Sequence, residues 1–237
     1  MRTLSTALRA GVAGVLVLTP SAPATTTTER LPDVAPPALW AHVLRPVTAR
    51  EAPGLTARPV SRVQPATPEG ETNLVLVLRT TSDSSQRTWV RVRLAILPNS
   101  ATGWVPQDAL GSFHSVRTRL VIDRAAFRAA LWRGGRVVFR AAVGVGGPRW
   151  PTPRGEFYVR EKLAGFGDPF YGPVAFGTSA RSPILTDWPG GGFVGIHGTD
   201  RPDLIPGRIS HGCIRMRNAD IRRLARLMPL GTPITIV

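Results

Sequence analysis

A single cysteine and two histidines lie close together near the C-terminal end of the 237-residue sequence. His197 precedes Cys213 by sixteen residues, and only Gly212 separates His211 from the cysteine. Because the chain has one cysteine, an intramolecular disulfide is excluded. A thiol acts as a nucleophile in its thiolate form, and an imidazole within hydrogen-bond reach can remove its proton. The spacing therefore predicts thiol catalysis, with Cys213 as the nucleophile and His197 as the general base.

The neighbours of the cysteine are suited to stabilising a transition state. Gly212 allows a substrate to approach the backbone closely. The amides of Gly212 and Cys213 are candidates for an oxyanion hole, which contributes about 2.7–4 kcal/mol per donor in hydrolases. Arg215 is suited to binding a carboxylate through two hydrogen bonds. Ser210 is expected to organise the turn, and Thr199-Asp200 the loop.

Other chemistries fit this pattern less well. One cysteine and two histidines do not have the paired spacing of a zinc site, so we expect no metal. The order of the residues is not that of papain-like proteases, and neither a G-x-S-x-G turn nor a Walker loop is present. A structural role stays open, with Cys213 as a small buried hydrophobe, His211 as a core histidine and Arg215 as a surface charge.

The N-terminus has the features of a secretory signal. Basic residues at Arg2 and Arg9 precede a nine-residue apolar run from Ala10 to Leu18, and an A-x-A-like cleavage motif follows. The run is shorter than the roughly 20 residues that span a bilayer. We therefore expect a signal peptide over residues 1–24, export to the periplasm or cell wall, and no stable membrane span. An uncleaved anchor is the alternative. A flexible Thr- and Pro-rich linker is expected over residues 25–39.

Composition favours strands and turns over long helices. The chain is 43% hydrophobic and contains 24 glycines and 23 prolines. Its net charge of +15 comes almost entirely from arginines, which are scattered along the chain. A scattered pattern argues against nucleic-acid binding, whereas an anionic cell-wall polymer would suit the charge.

The hydrophobic runs predict two β domains, over residues 40–112 and 115–237. In the first, residues 73–80 and 88–97 are rich in Val, Leu and Ile, as strands are. This domain, of uncertain role, closes on Gly103-Trp104-Val105-Pro106, which resembles the end of a Src-homology-3-like barrel.

Three features of the second domain complete the prediction. A Gly134-Gly135 pair favours a hairpin between two strands, with a helix over residues 124–132 as the alternative. Residues 163–193 hold many glycines and aromatic residues, so we expect an irregular lid or a connecting loop. Asn218 is the expected N-cap of a short amphipathic helix that covers the sheet.

The residues HGTD at 197–200 and RISHGCIRM at 208–216 resemble the signature of the L,D-transpeptidase (YkuD-type) catalytic domain, in which H-G-x-x is followed by [S/T]-H-G-C-h-[R/N]. The resemblance covers about residues 116–237. It includes TPRGEFYV at 152–159, YGPVAFGTS at 171–179 and LGTPITIV at 230–237.

This resemblance implies a mostly β fold, a β-sandwich with a short covering helix, here preceded by the smaller β domain. It implies that Cys213 is the nucleophile and that His197 is the base, oriented by the main-chain carbonyl of Gly198. Ser210, His211 and Gly212 would then shape the site, and Arg215, Tyr171 and Thr199 would bind substrate. No cofactor is implied.

The family's activity would be the formation of 3→3 cross-links between peptidoglycan stem peptides. A cysteine thioester would form as the terminal D-alanine of a tetrapeptide stem leaves, and carbapenems would acylate the same thiol. Two alternatives remain open. They are an L,D-carboxypeptidase on the same scaffold and a cell-wall-binding module with a degenerate site.

Overall fold

The computed structural model describes residues 37–164, 167–186 and 192–237. The expected signal peptide and most of the expected linker lie outside these residues. The predicted C-terminal bound of the linker, residue 39, is too late, because Ala38 and Leu39 already belong to the first strand. The described residues form one compact unit.

Seven strands of the N-terminal part form one sheet in the order β3-β2-β6-β5-β4-β1-β7. They are β1 (Ala38–His42), β2 (Val47–Arg50), β3 (Pro59–Val63), β4 (Leu74–Ser82), β5 (Thr88–Arg93), β6 (Thr102–Pro106) and β7 (His114–Val116). A short 3₁₀ helix, Gln107–Ala109, follows β6. The order of pairing is linear, with β3 and β7 at its ends, and the Src-homology-3-like barrel stays a prediction.

The two strands predicted in this part are confirmed as the antiparallel pair β4 and β5, which meet at Ser82 and Thr88. Asp83 organises the turn between them, because one carboxylate oxygen accepts from the Ser85 and Arg87 amides and the other from the indole of Trp89. Trp89 is fully buried. The second strand ends at Arg93, earlier than its hydrophobic pattern indicates.

Ten strands form the second sheet, in the order β10-β9-β8-β17-β12-β13-β14-β16-β11-β15. They are β8 (Thr118–Asp123), β9 (Arg128–Arg133), β10 (Arg136–Ala142), β11 (Gly144–Gly146), β12 (Gly155–Ala164), β13 (Val174–Arg181), β14 (Phe193–His197), β15 (Gly207–Ser210), β16 (Ile214–Arg215) and β17 (Pro233–Ile236). Two 3₁₀ helices, Pro169–Tyr171 and Pro202–Leu204, lie in its connections. The fold is therefore mostly β, as expected.

The hairpin interpretation of the Gly134-Gly135 pair is confirmed, since Arg133 pairs with Arg136 across it. The expected irregular stretch over residues 163–193 is wrong in part. Its residues 174–181 form β13, which pairs with β12 on one side and β14 on the other.

One α helix, α1 (Asn218–Leu227), is present in the described residues. It buries Ile221 and Leu224 in the core of the ten-stranded sheet, as its amphipathic pattern predicts. The expected N-cap is wrong by one position, because Arg217 occupies the cap and Asn218 is the first helical residue. The side chain of Asn218 turns away from its own helix and accepts from the Thr199 amide instead.

Candidate active site

Two neighbouring strands bring the histidine and the cysteine together. His197 is the last residue of β14, and Cys213 lies in the turn between β15 and β16. Strands β14 and β16 are parallel neighbours, with His197 paired to Arg215. Parallel neighbours require a crossover connection, and residues 198–213 supply it. This crossover returns the chain to the edge of β14 and places the thiol beside the imidazole.

Both side chains line one pocket. A methyl group placed on Gly195 would lie 3.9 Å from Cδ2 of His197 and 4.0 Å from Sγ of Cys213, so the two groups flank one point on β14. The other described residues that line the pocket are Phe170, Tyr171, Ser182, Leu185, Gly192, Phe193, Val194, Ser210, His211 and Arg215.

His197 is held as a neutral base. Its ring is only 2% exposed, and Nδ1 lies 2.7 Å from the carbonyl oxygen of Gly198. A carbonyl oxygen can only accept, so Nδ1 is the donor and carries the hydrogen. Burial lowers the pKa of His197 to about 4, and the charge of Arg215 acts in the same direction against the opposing effect of the Gly198 carbonyl. At neutral pH the ring is therefore uncharged, and Nε2 is left as the acceptor.

Cys213 is held as a protonated thiol. The residue keeps some exposure to the pocket, but its sulfur is surrounded by protein, and this burial raises the pKa of the thiol. The amide of Gly195 donates to Sγ over 3.4 Å and, with the positive Arg215, acts to lower the pKa. The resting pair is thus a neutral thiol and a neutral imidazole. A thiol in this state has to lose its proton before or during any attack by its sulfur.

Two side chains fix the turn that carries the thiol. Ser210 Oγ donates to the Cys213 carbonyl over 2.5 Å and accepts from the Gly212 amide over 3.2 Å. Thr152 Oγ1 donates to the Gly212 carbonyl over 2.7 Å and accepts from the Gly146 amide. Gly212 itself has φ of +121°, a conformation that favours glycine. Ser210 therefore organises the turn, as the sequence predicts.

These hydrogen bonds correct the expected oxyanion pair. The Gly212 amide is not available, because it is bonded to the Ser210 hydroxyl. Within the described residues, no group accepts from the Cys213 amide. Because a peptide unit is planar, the bond from Thr152 to the Gly212 carbonyl also orients the Cys213 N–H on the opposite side of the same unit. Cys213 is the member of the pair that can serve as an oxyanion donor.

Two aromatic rings of the 3₁₀ helix Pro169–Tyr171 cover the imidazole of His197. Asp168 caps this helix by accepting from the Phe170 amide over 2.9 Å. The ring centroid of Phe170 is 5.9 Å from that of His197, and the corresponding distance for Tyr171 is 5.1 Å. Burial raises the pKa of Tyr171, with a further contribution from Cys213. Tyr171 thus lies in the pocket, where the sequence resemblance puts a substrate-binding residue.

Arg215 supplies the positive charge of the pocket. Its side chain is mostly buried, with Cζ 4.3 Å from the ring centroid of Phe170. The Nε of Arg215 is buried without a hydrogen-bond partner among the described residues. Burial also lowers the pKa of the guanidinium, although the nearby Cys213 opposes this effect. A surface role for Arg215 is therefore wrong.

The two remaining predicted residues have different positions. His211 is exposed at the rim of the pocket, with its ring centroid 4.1 Å from that of Trp150. Thr199 is 1% exposed and is not among the residues that line the pocket. Its hydroxyl accepts from the Arg201 amide and its own amide donates to Asn218. The expected substrate contact at Thr199 does not fit this position, because its hydroxyl is bonded within the loop and its amide is bonded to the first residue of α1.

Sequence reasoning overlooked several residues of the site. Thr152 acts on Gly212 across 60 positions, and Asn218 acts on Thr199 across 19 positions. Neither has a local signal of such a contact. Phe170 and Phe193 belong to the aromatic stretch that the sequence associates with the site, and this composition was the available signal.

The described residues contain neither a metal-ligand cluster nor a membrane-spanning helix. No group of three or more His, Cys, Asp or Glu side chains there is arranged to hold a metal ion. In the same residues, no helix has the length and apolar character needed to cross a membrane.

A thiol and a neutral imidazole that share one pocket are the groups that a cysteine-nucleophile site requires. The sequence profile of the YkuD family, described as the L,D-transpeptidase catalytic domain, matches residues 117–236. This match covers half of the chain, and the chain therefore belongs to the L,D-transpeptidase catalytic-domain family.

Individual relatives agree with this assignment. The putative L,D-transpeptidase YkuD of Bacillus subtilis is 32% identical over 123 residues, which are 52% of this chain and 68% of the relative. Its namesake in Bacillus licheniformis is 35% identical over 106 residues, which are 45% of this chain and 57% of the relative. The catalytic domain of the Enterococcus faecium L,D-transpeptidase is 28% identical, with a TM-score of 0.39 over 51% of this chain and 96% of that domain. The assignment rests on the sequence matches, because this TM-score is below 0.5.

Proposed function

We propose that this protein is an L,D-transpeptidase that forms 3→3 cross-links between peptidoglycan stem peptides through a cysteine thioester. The observation that carries the proposal is the shared pocket of Cys213 and His197, in which Nδ1 of the histidine is tied to the Gly198 carbonyl. That bond leaves Nε2 as a neutral base, as general-base activation of a thiol requires.

In the first half-reaction, Sγ of Cys213 attacks the carbonyl carbon of the third stem residue, a diamino acid, in a tetrapeptide. The thiol proton passes to His197, and the Cys213 amide stabilises the oxyanion. The C–N bond to the terminal D-alanine then breaks, and His197 gives its proton to the leaving amine. A thioester remains on the enzyme.

In the second half-reaction, the side-chain amine of a neighbouring stem attacks the thioester carbonyl. His197 takes the amine proton, the C–S bond breaks, and the thiolate recovers its proton from His197. The products are a cross-linked dimer and the free thiol. Each step requires only proton transfer and acyl transfer, so no redox partner or cofactor is needed.

The pocket has groups suited to holding an anionic peptide. Arg215 presents a mostly buried guanidinium whose Nε has no hydrogen-bond partner in the described residues, and we propose that it binds a stem carboxylate. The rings of Phe170 and Phe193 form apolar walls beside it. Peptidoglycan as substrate implies an exported protein, in the periplasm or cell wall, and the net charge of +15 suits anionic wall polymers.

The test mixes the purified protein with tetrapeptide muropeptides and identifies the products by mass spectrometry, with Cys213→Ala alongside. We expect a cross-linked dimer and free D-alanine with the intact thiol, and neither with the alanine variant. An acyl-enzyme adduct on Cys213 should be visible at short times.

Other results would redirect the proposal. Tripeptide and D-alanine without dimer would indicate an L,D-carboxypeptidase, since water would then resolve the thioester. No product, together with retention on insoluble cell wall, would indicate a binding module. A fully active Cys213→Ala protein would exclude the thioester route.

A further inference from the structure

The peptide unit between Gly198 and Thr199 is held from both of its sides. Its carbonyl oxygen accepts from Nδ1 of His197 over 2.7 Å. Its N–H, from Thr199, donates to Oδ1 of Asn218 over 2.9 Å. One planar unit thus links the histidine ring to a side chain at the start of α1.

Backbone hydrogen bonds hold His197, whereas side chains hold the peptide unit between Gly198 and Thr199. The His197 carbonyl accepts from the Met216 amide over 2.9 Å, and the Gly198 amide donates to the Val174 carbonyl over 3.4 Å. Beyond Gly198 the chain leaves β14. Asn218 therefore supplies the hydrogen bond that sets the rotation of the unit carrying the Gly198 carbonyl.

The amide group of Asn218 fits closely between two glycines. A Cβ added to Gly198 would lie 2.3 Å from Oδ1 of Asn218, and one added to Gly172 would lie 2.5 Å from the same oxygen. Any larger residue at either position would displace the side chain. Gly172 directly follows the 3₁₀ helix whose rings cover His197, so Asn218 contacts the loop and the aromatic cover together.

We propose that Asn218 is a positioning residue that keeps the Gly198 carbonyl aligned with Nδ1 of His197. Because the peptide unit is planar, fixing its N–H fixes the carbonyl on the opposite side. A hydrogen bond at the N–H also polarises the unit and strengthens its carbonyl as an acceptor. Asn218 thereby maintains the tautomer in which Nε2 is the base. This inference rests on the proposed function, in which His197 is that base.

The test compares Asn218→Ala, Asn218→Asp and, as the matched control, Asp220→Ala in the first turn of the same helix. Asn218→Ala removes the acceptor and should lower kcat on the order of 10²-fold, the loss that a misplaced catalytic group can cause, with KM for the tetrapeptide unchanged. Asn218→Asp retains an acceptor oxygen and should recover most of kcat. Asp220→Ala should match the parent protein.

The pH profile separates positioning from a merely structural role. The Gly198 carbonyl raises the pKa of His197 against the effects of burial and Arg215, so the acidic limb of kcat/KM should move to lower pH in Asn218→Ala. The added charge of Asn218→Asp should move it to higher pH. The other ionisable groups that line the pocket, Tyr171, His211, Cys213 and Arg215, are unchanged in these variants. A structural effect would lower Tm and leave the limb in place.

A second readout does not depend on the substrate. The rate at which iodoacetamide alkylates Cys213 reports activation of the thiol by His197, and it should fall in Asn218→Ala and recover in Asn218→Asp. If the parent protein forms neither dimer nor tripeptide, the proposed function fails and alkylation still decides the role of Asn218. Parent-like alkylation and an unmoved acidic limb in Asn218→Ala would overturn the inference. Asn218→Ser, with a shorter hydroxyl, replaces the alanine variant if that protein does not fold.

Discussion

The two sheets differ in what they bury. Among the described residues before position 117, Thr67 is the one polar residue that is buried. The ten-stranded sheet and its connections bury twelve, among them His197, Arg215 and the Arg160–Glu161 pair. A buried polar group destabilises the fold unless it is hydrogen-bonded, and a buried charge needs a partner. The second sheet therefore accepts a polar interior that the first avoids, and the polar interior is where the candidate site lies.

The two regions nevertheless form a joint interface. Leu74 and Leu76 of β4 pack with Tyr158 of β12 in a small apolar cluster, and the Tyr158 hydroxyl donates to the Leu74 carbonyl. Arg160, which is 3% exposed, pairs with Glu161 over 2.9 Å and with Glu69 over 3.1 Å. The first sheet therefore supports the second by packing and ion pairing. Substitutions in the first sheet should change the stability of the protein and leave the chemistry of the site unchanged.

His197→Asn should have the largest effect. It removes the general base, and loss of such a group lowers kcat/KM by about 10²–10⁴-fold. The measurement is kcat/KM for tetrapeptide muropeptides. His114→Asn, on an exposed histidine of β7, is the control from the first sheet and should retain activity. Equal losses in the two variants would contradict the division of roles between the sheets.

Leu74→Ala tests the opposite side of the comparison. The side chain is fully buried between the sheets, so its truncation should lower the free energy of unfolding by about 2–5 kcal/mol. Chemical denaturation measures the loss. At a temperature where the variant is folded, kcat/KM should equal that of the parent. A lower kcat in the folded variant would show that the first sheet shapes the site directly.

Thr152→Val should lower both the free energy of unfolding and kcat. The variant keeps the shape but leaves the Gly146 N–H and the Gly212 carbonyl without their partner, which should cost about 1–3 kcal/mol of stability. It should also lower kcat, because the Cys213 amide loses its orientation. Thr152→Ser retains the hydroxyl and is the control. Denaturation and steady-state kinetics together test this, and an unchanged kcat in the valine variant would remove Thr152 from the site.

The pH dependence should give the smallest effect near neutrality. The active form of His197 is the neutral one, and its pKa is about 4. The rate constant kcat/KM should therefore stay level on the acid side of neutrality and fall about tenfold per pH unit below 4. An acidic limb near the ordinary histidine pKa of about 6.5 would mean that the ring is more solvated than its 2% exposure indicates.

The sequence predicts the parts of this molecule whose signals are local. The hairpin at Gly134-Gly135 and the shared location of His197 and Cys213 follow from residue types and short spacings. The expected N-cap at Asn218 is wrong, and the expected substrate contact at Thr199 does not fit its position, for one reason. The side chain of Asn218 accepts a hydrogen bond from the amide of Thr199, which is 19 positions away. No local sequence pattern reveals such a contact.

Longer contacts were invisible for the same physical reason. Arg160 and Glu69 are 91 positions apart, and their pairing depends on how the two sheets meet. From the sequence, the amide of Gly212 is also a candidate oxyanion donor, but in the structure it donates to the Ser210 hydroxyl. Residue types predicted which groups take part, and the hydrogen bonds determine which of them are free to act.

The raised pKa of the Cys213 thiol has a consequence for the lifetime of the protein. Oxidants and disulfides react with the thiolate, and a thiol kept protonated by burial reacts with them slowly. In the proposed reaction the imidazole removes the proton when a substrate is in place, so the sulfur would be nucleophilic during turnover and inert between turnovers. In the proposed exported enzyme, the one cysteine would thereby stay reduced where oxidants are present.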